Sequence, residues 1–155
     1  AKLKEVDGYI NIDLNGGKAK VGAMKGINDR SWISTDSGII EAYVADEKSG
    51  VIHNFESNNG EINVTFTSEI RSHTSILSNT GNVNLSIRSG YKFLLEVKTT
   101  DGKYVETLND KVSFEFIDSK EYKMPFGVHG YTGTASSVLI QTNGQVRGKL
   151  LPLFS

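Results

Sequence analysis

A short pattern recurs about every 21 residues along this chain, and this repeat limits the available folds more than any other feature. Glycines that follow a cluster of Ser, Thr, Asn or Asp stand 21 or 22 residues apart, with one interval of 42, at Gly38, Gly60, Gly81, Gly102 and Gly144. Gly8 looks like an earlier copy, but Gly17 also fits, so the register of the first repeat is left open. A unit of this length has no room for a strand–helix–strand crossover.

The residues around these glycines alternate between apolar and polar. With Gly8 included, the positions five before and two, four and six after each glycine are apolar at 22 of 24 sites, whereas a 37% apolar composition predicts about nine. Most of the intervening positions are Asn, Ser, Thr or charged residues. Alternation with a period of two predicts β-strands that bury one face.

The repeat therefore predicts an all-β fold, for which two architectures remain open. In a single β-solenoid domain over residues 1–155, each repeat of about 21 residues forms one coil, and equivalent strands stack in parallel about 4.8 Å apart. In an antiparallel β-sandwich, the same strands are joined by turns at intervals of about 8–12 residues. The solenoid is favoured because like residues recur at like positions, as stacking requires. About six or seven coils are expected.

An irregular excursion is expected at residues 118–135. The glycine that the repeat predicts near position 123 is missing, and the alternation seen at Val112, Phe114 and Phe116 is lost after them. Insertions in solenoids collect on one face. Glu106 is a further misfit, since it occupies a position that is otherwise apolar and inward-facing.

The excursion also contains the candidate partner-binding residues. Aromatic and imidazole side chains stand there among glycines, and such side chains on a loop are typical of binding surfaces. The alternative is that they cover an apolar end of the stack, since terminal coils need capping. The four candidates are Tyr122, Phe126, His129 and Tyr131.

No catalytic residue, cofactor site or metal site is predicted. The outward-facing acids Asp13, Glu41 and Glu61 are scattered, although enzymes built on β-helices need clustered acids. His53 and His73 differ by one residue in their offset from the next glycine, which places them on opposite faces of their strands. The chain has no Cys, which excludes disulfides and thiol chemistry. The formal net charge of −1 argues against nucleic acid as a partner, and no apolar run is long enough to span a membrane.

Two repeats carry a resemblance to a known family. The segments Ser57-Asn58-Asn59-Gly60-Glu61-Ile62-Asn63-Val64 and Ser78-Asn79-Thr80-Gly81-Asn82-Val83-Asn84-Leu85 resemble the repeats of a bacterial adhesin family of surface-exposed β-solenoid domains. The resemblance covers roughly residues 30–105 and 138–151. It implies a β-solenoid at the surface of a bacterial cell or outside it, and it implies no catalytic residues.

The resulting hypothesis is a non-catalytic cell-surface module for adhesion, envelope interaction or display. Its expected partners are a cell-envelope component, a polysaccharide or a protein surface, and a homo-oligomer formed through the solenoid ends is also considered. Two alternatives stay open: a carbohydrate-active enzyme built on a short β-helix, and a self-assembling structural protein.

Overall fold

The computed structural model describes residues 2–3, 10–24, 30–45, 50–88, 94–101, 112–116 and 136–151. Every helix or strand element within these ranges is a β-strand, so the described part of the chain is all-β, as predicted. The strands in chain order are β1 (Lys2–Leu3), β2 (Ile10–Leu14), β3 (Lys18–Met24), β4 (Arg30–Thr35), β5 (Ile39–Val44), β6 (Ile52–Ser57), β7 (Ile62–Phe66), β8 (His73–Ser78), β9 (Val83–Arg88), β10 (Leu94–Lys98), β11 (Val112–Phe116), β12 (Ser137–Gln141) and β13 (Val146–Leu151).

These strands form two sheets. The seven-stranded sheet has the order β1-β3-β5-β7-β9-β13-β11, and the six-stranded sheet has the order β10-β12-β8-β6-β4-β2. All pairings between the described strands are parallel. The antiparallel β-sandwich is therefore wrong as an alternative, because its neighbouring strands would run in opposite directions.

Successive strands from β2 to β9 alternate between the two sheets. Each repeat places the strand before its glycine in the six-stranded sheet and the strand after it in the seven-stranded sheet. We call such a pair of consecutive strands a layer; the layers are β2–β3, β4–β5, β6–β7, β8–β9, β10–β11 and β12–β13. Neighbouring layers meet through parallel pairing in both sheets.

The order of the layers in space departs from their order in the sequence. β12 pairs with β8 on one side and with β10 on the other, and β13 lies in the same way between β9 and β11. The β12–β13 layer, which comes last among the described layers in the sequence, is therefore inserted between the β8–β9 and β10–β11 layers. The doubled glycine interval between Gly102 and Gly144 thus spans a change in stacking order.

The core lies between the two sheets and is built from columns of like residues. In the six-stranded sheet, one column places Ile33, Phe55, Ile76 and Ile140 in register, and none of their side chains is exposed. In the seven-stranded sheet, the equivalent column contains Ile40, Ile62, Val83 and Val146, each at most 1% exposed. Branched apolar side chains pack well on the pleated face of a strand, so this alternation builds the core layer by layer.

The glycines of the repeat stand where the backbones of neighbouring layers approach each other closely. A Cβ atom added at Gly38, Gly60, Gly81 or Gly144 would lie 1.9–2.4 Å from the carbonyl oxygen of the glycine in the adjacent layer. No side chain fits at such a distance, so the close approach alone requires glycine. The oxygen that faces Gly38 belongs to Gly17, which resolves the register of the first layer in favour of Gly17 over Gly8.

A buried hydroxyl before each glycine completes the turn. The backbone N–H groups of Gly38, Gly60 and Gly81 donate to Thr35 Oγ1, Ser57 Oγ and Ser78 Oγ at 2.7–2.9 Å. The N–H of Gly144 donates to Thr142 Oγ1 at 2.9 Å, across a turn that is one residue shorter. These side chains are 4–7% exposed and replace water as partners for buried amides.

The shorter turn explains one error in the sequence pattern. Counting five residues back from Gly144 reaches Leu139, but the structure buries Ile140 at this position and leaves Leu139 half-buried on the outer face. The loss of one turn residue shifts the count by one, and a shift of one residue in a strand exchanges its two faces.

The strand expected after Gly102 also differs from the prediction. The pattern places inward side chains at Tyr104, Glu106 and Leu108, whereas the strand that pairs with β13 is β11, with Phe114 opposite Gly148. Residues 102–111 lie outside the described residues. Phe114 therefore holds the register position for which the repeat predicted Glu106.

Candidate functional site

The four candidate partner-binding residues lie outside the described part of the chain. Tyr122, Phe126, His129 and Tyr131, together with the whole excursion at 118–135, fall between β11 and the described residues that begin at 136. Their role stays a prediction. Among the described residues, the outward side chains lie on the two outer faces of the sheets.

The two strand histidines lie on opposite faces, as their offsets predict. His53 on β6 is fully buried in register with Ser31 and Thr74, and its ring lies 6.4 Å from that of Phe55. His73 on β8 is exposed, and its Nδ1 lies 2.9 Å from Ser137 Oγ on β12. Within the described ranges, no group of three or more His, Cys, Asp or Glu side chains could hold a metal ion.

A shallow groove of about 530 Å³ crosses the outer face of the six-stranded sheet where its strands end. We call it the acidic groove. One wall is a column of outward side chains in register across five strands, and the other is formed by the turns that follow the strands. The column contributes Asp13, Ser34, Glu56, Leu77 and Gln141, and the turns contribute Asp36, Asn58 and Asn79, with the buried hydroxyl residues Thr35, Ser57 and Ser78 at the base.

The charge of this groove has one sign. Its lining contains the carboxylates of Asp13, Asp36 and Glu56 and no Lys, Arg or His. Ser34 Oγ donates to Asp13 Oδ1 at 2.9 Å, and Asn58 Nδ2 donates to Asp36 Oδ1 at 3.1 Å. These bonds join neighbouring layers, so the acceptor groups are held at the spacing of the strands. A row of fixed oxygen acceptors with negative charge favours ligands that carry hydroxyl or amino groups.

An exposed tryptophan stands on the same outer face. Trp32 on β4 is 39% exposed and lies two residues before Ser34, which lines the groove. Its register neighbour on β6 is Asn54, a half-buried outward side chain. Trp32 is not among the site residues predicted from the sequence. The available signal was its outward position directly before the inward Ile33, since tryptophan is highly buried on average and an outward one offers a large apolar surface to a ligand.

The outer face of the seven-stranded sheet carries hydrogen-bonded pairs between layers. Asn84 Nδ2 donates to Asn63 Oδ1 and to Glu61 Oε1, both at 2.8 Å. Glu61 therefore has an amide partner on the neighbouring layer. Ile39, which is 40% exposed, is the large apolar side chain of this face that remains open to solvent among the described residues.

A charged cluster stands on the same face near β3. Lys18 Nζ lies 2.6 Å from Glu41 Oε2, Lys20 Nζ lies 3.5 Å from Glu41 Oε1, and Tyr43 OH donates to Glu41 Oε1 at 3.0 Å. The hydrogen bond from Lys18 lowers the pKa of Glu41, and the same contact raises the pKa of Lys18. The pKa of Tyr43 is raised because its hydroxyl donates to the carboxylate. The cluster is a surface ion pair with satisfied partners, and ion pairs this exposed contribute little to stability.

The described residues contain no helix of the length and hydropathy needed to cross a membrane. Of the two outer faces, that of the six-stranded sheet is the candidate site, because Trp32 stands there beside the acidic groove. Comparisons of the chain with family models, with curated proteins and with solved structures found no match.

Proposed function

We propose that the chain is a β-solenoid that serves as a non-catalytic binding module at a bacterial cell surface, for adhesion, envelope interaction or display. The observation that carries the proposal is that the exposed side chain of Trp32 and the acidic groove lie on the same face of one sheet. The ligand that this surface fits best is a polysaccharide. Its sugar rings would stack on the indole, and its hydroxyl or amino groups would donate to Asp13, Glu56 and their neighbours.

The solenoid part of the proposal is supported by how the layers stack. Parallel strands pair in register in both sheets, and the glycine backbones of neighbouring layers approach each other at Gly17, Gly38, Gly60, Gly81 and Gly144. These features repeat from layer to layer, as they do when a chain winds around one axis. The resemblance of the repeats to the bacterial adhesin family agrees with this architecture and supports the surface location.

The binding part is supported by the rigidity of the surface. Outward side chains stand on strands whose inward neighbours are buried, and Trp32 lies between Ser31 at 5% and Ile33 at 0% exposure. The buried inward neighbours hold the backbone of the strand in place, so the backbone that carries Trp32 needs no ordering when a ligand binds. The indole ring of tryptophan also offers a large area for contact with a ligand.

The test is a fluorescence titration, because Trp32 is the only tryptophan of the chain. Neutral, cationic and anionic polysaccharides are added to the intact protein, and product release is followed in the same samples. We expect saturable changes in Trp32 emission with neutral or cationic polymers, and weaker or no binding of anionic ones, which the groove carboxylates repel.

Two variants identify the surface. Binding measured by calorimetry should be lost in Trp32→Ala and kept in Ile39→Ala, which removes a side chain of nearly equal exposure from the other sheet. Equal binding by both variants, or no binding of any polymer, contradicts the proposal. Steady release of sugar fragments would favour the alternative of a carbohydrate-active enzyme, in which Asp13, Asp36 and Glu56 supply the acids.

A further inference from the structure

The inserted β12–β13 layer has a full set of neighbours on both sides. All five residues of β12 pair with β8, and the same five pair with β10. β13 is held in the same way by β9 and β11. The slot between the β8–β9 and β10–β11 layers is therefore a receptor for one more pair of strands, and the β12–β13 layer fills it.

On the β8–β9 side of the slot, the groups that accept hydrogen bonds from the inserted layer all lie within residues 70–82. Ser136 Oγ donates to the carbonyl of Ile70 at 2.5 Å, and Thr142 Oγ1 donates to the carbonyl of Gly81 at 2.7 Å. The N–H of Gln145 donates to Asn82 Oδ1 at 3.0 Å. Every one of these contacts joins residues more than 60 positions apart. None of them requires residues 136–151 to belong to the same molecule.

A second segment of the chain also matches the edge of β8. Val138 and Ile140 of β12 lie beside the inward residues of β8, and β10 offers Leu95 and Val97 in the equivalent positions. Beyond the strand, Thr99-Thr100-Asp101-Gly102 has the same length as the β8 turn at Ser78–Gly81, whereas Thr142-Asn143-Gly144 is one residue shorter. In a chain that lacks the inserted layer, β10 can therefore occupy the slot, so the slot has two competing occupants.

We propose that residues 136–151 form an exchangeable layer, which a second copy of this chain can insert between β8–β9 and β10–β11. The exchanged form makes the same backbone and side-chain contacts as the single-chain form. The two forms differ in free energy mainly through the effective concentration of the layer. Residues 117–135 separate β11 from the layer in the sequence. Reciprocal exchange gives a dimer, and one-way exchange gives an open row of copies.

The absence of Cys from the chain permits a direct test with single-cysteine variants. Ser75 and Leu139 are outward register partners on β8 and β12, at a backbone spacing of about 4.8 Å that suits a disulfide. Ser75→Cys and Leu139→Cys variants of the 155-residue chain, one of them carrying a size tag, are refolded together and oxidised. We expect a disulfide-linked heterodimer that elutes as one species in size-exclusion chromatography.

The matched control pairs Asn54→Cys with Ser75→Cys, whose residues are register partners in consecutive layers. Its heterodimer should be at least tenfold less abundant, since β6 and β8 are not exchanged. Equal yields from the two mixtures would overturn the proposal. The double variant Ser75→Cys/Leu139→Cys reports the fold itself: it should form an internal disulfide in the monomer, and its failure to do so would also overturn the proposal.

Discussion

Replacing Gly60 by alanine tests whether the close stacking of layers holds the fold together. A Cβ atom at this position would lie 1.9 Å from the carbonyl oxygen and 2.9 Å from the carbonyl carbon of Gly38, and 2.9 Å from Ser57 Oγ. An ordinary contact needs more than 3 Å, so the two layers must separate by about 1 Å at this turn. The backbone angle of Gly60 is not in the left-handed region, which isolates the close approach as the cause.

The cost follows from two hydrogen bonds between the layers that this separation breaks, and from one bond within the turn that the added Cβ, 2.9 Å from Ser57 Oγ, displaces. Asn58 and Asn59 donate to the carbonyl of Asp36 at 3.1 Å, and the N–H of Gly60 donates to Ser57 Oγ at 2.7 Å. Three such bonds at about 1 kcal/mol each give a loss of about 3 kcal/mol in the free energy of unfolding. For a chain of this size that corresponds to a fall of about 6–12 °C in melting temperature.

Urea denaturation followed by circular dichroism measures this loss, and Gly16→Ala is the matched control. A Cβ at Gly16 would meet only Ser37 Oγ, at an ordinary 3.6 Å, and the position shows no left-handed backbone. We expect Gly16→Ala to change the free energy of unfolding by less than about 0.5 kcal/mol. If Gly60→Ala proved as stable as Gly16→Ala, the argument from backbone approach would be refuted.

Three further sets of substitutions test the core, the turn and the surface cluster. Leu85→Asp places an unpaired charge at a position with 0% exposure and should unfold the protein, whereas Ser86→Asp on the outer face, in register with Lys149, should leave a cooperative thermal melt. Ser57→Ala leaves the N–H of Gly60 without its partner and should cost about 1–3 kcal/mol in chemical denaturation; Ser57→Thr restores the hydroxyl found at Thr35 and should cost much less. Because Lys18 lowers the pKa of Glu41, this carboxylate stabilises the fold above its unfolded pKa and loses that effect as the pH falls through its folded pKa. Glu41→Gln should therefore flatten the fall in stability between neutral and acidic pH, by a small amount because the pair is solvent-accessible, and an unchanged pH profile would contradict this assignment.

The strands of the regular layers could be predicted from the sequence because their physical causes are local. Alternation of apolar and polar residues marks the two faces of each strand, and the hydroxyl and glycine of each turn mark where the layers touch. The burial of Phe55, Val64 and Leu85 confirms this pattern. The same reasoning placed His53 and His73 on opposite faces correctly.

The order of the layers could not be predicted in this way. β10 and β12 present similar apolar residues to the edge of β8, so the periodic pattern does not show which of them is its neighbour. That choice depends on pairing energies between strands far apart in the sequence. A repeat of about 21 residues contains no information about these energies. The shortened turn at Thr142–Gly144 also shifted the count that pointed to Leu139 instead of Ile140.

The candidate site was the part that sequence reasoning located least well. The prediction concentrated on aromatic residues in the excursion at 118–135, which lies outside the described residues. The acidic groove is assembled from single residues on separate repeats, so Asp13, Asp36 and Glu56 look scattered along the chain. Parallel stacking brings these residues to one face, and this can be predicted only when the register between the strands is known.

Backbone nuclear Overhauser effects around β8 test most directly whether the parallel stack and its inserted layer exist in solution. The structure predicts interstrand contacts in the parallel pattern from β8 to β6 and from β8 to β12. Some of them should lie close to the hydrogen bond that the Ser137 N–H donates to the carbonyl of Ser72 at 3.1 Å. No such contacts are predicted between β8 and β10, which lie two layers apart. Short Hα–Hα distances typical of antiparallel pairing, or direct contacts between β8 and β10 in place of those between β8 and β12, would contradict the account.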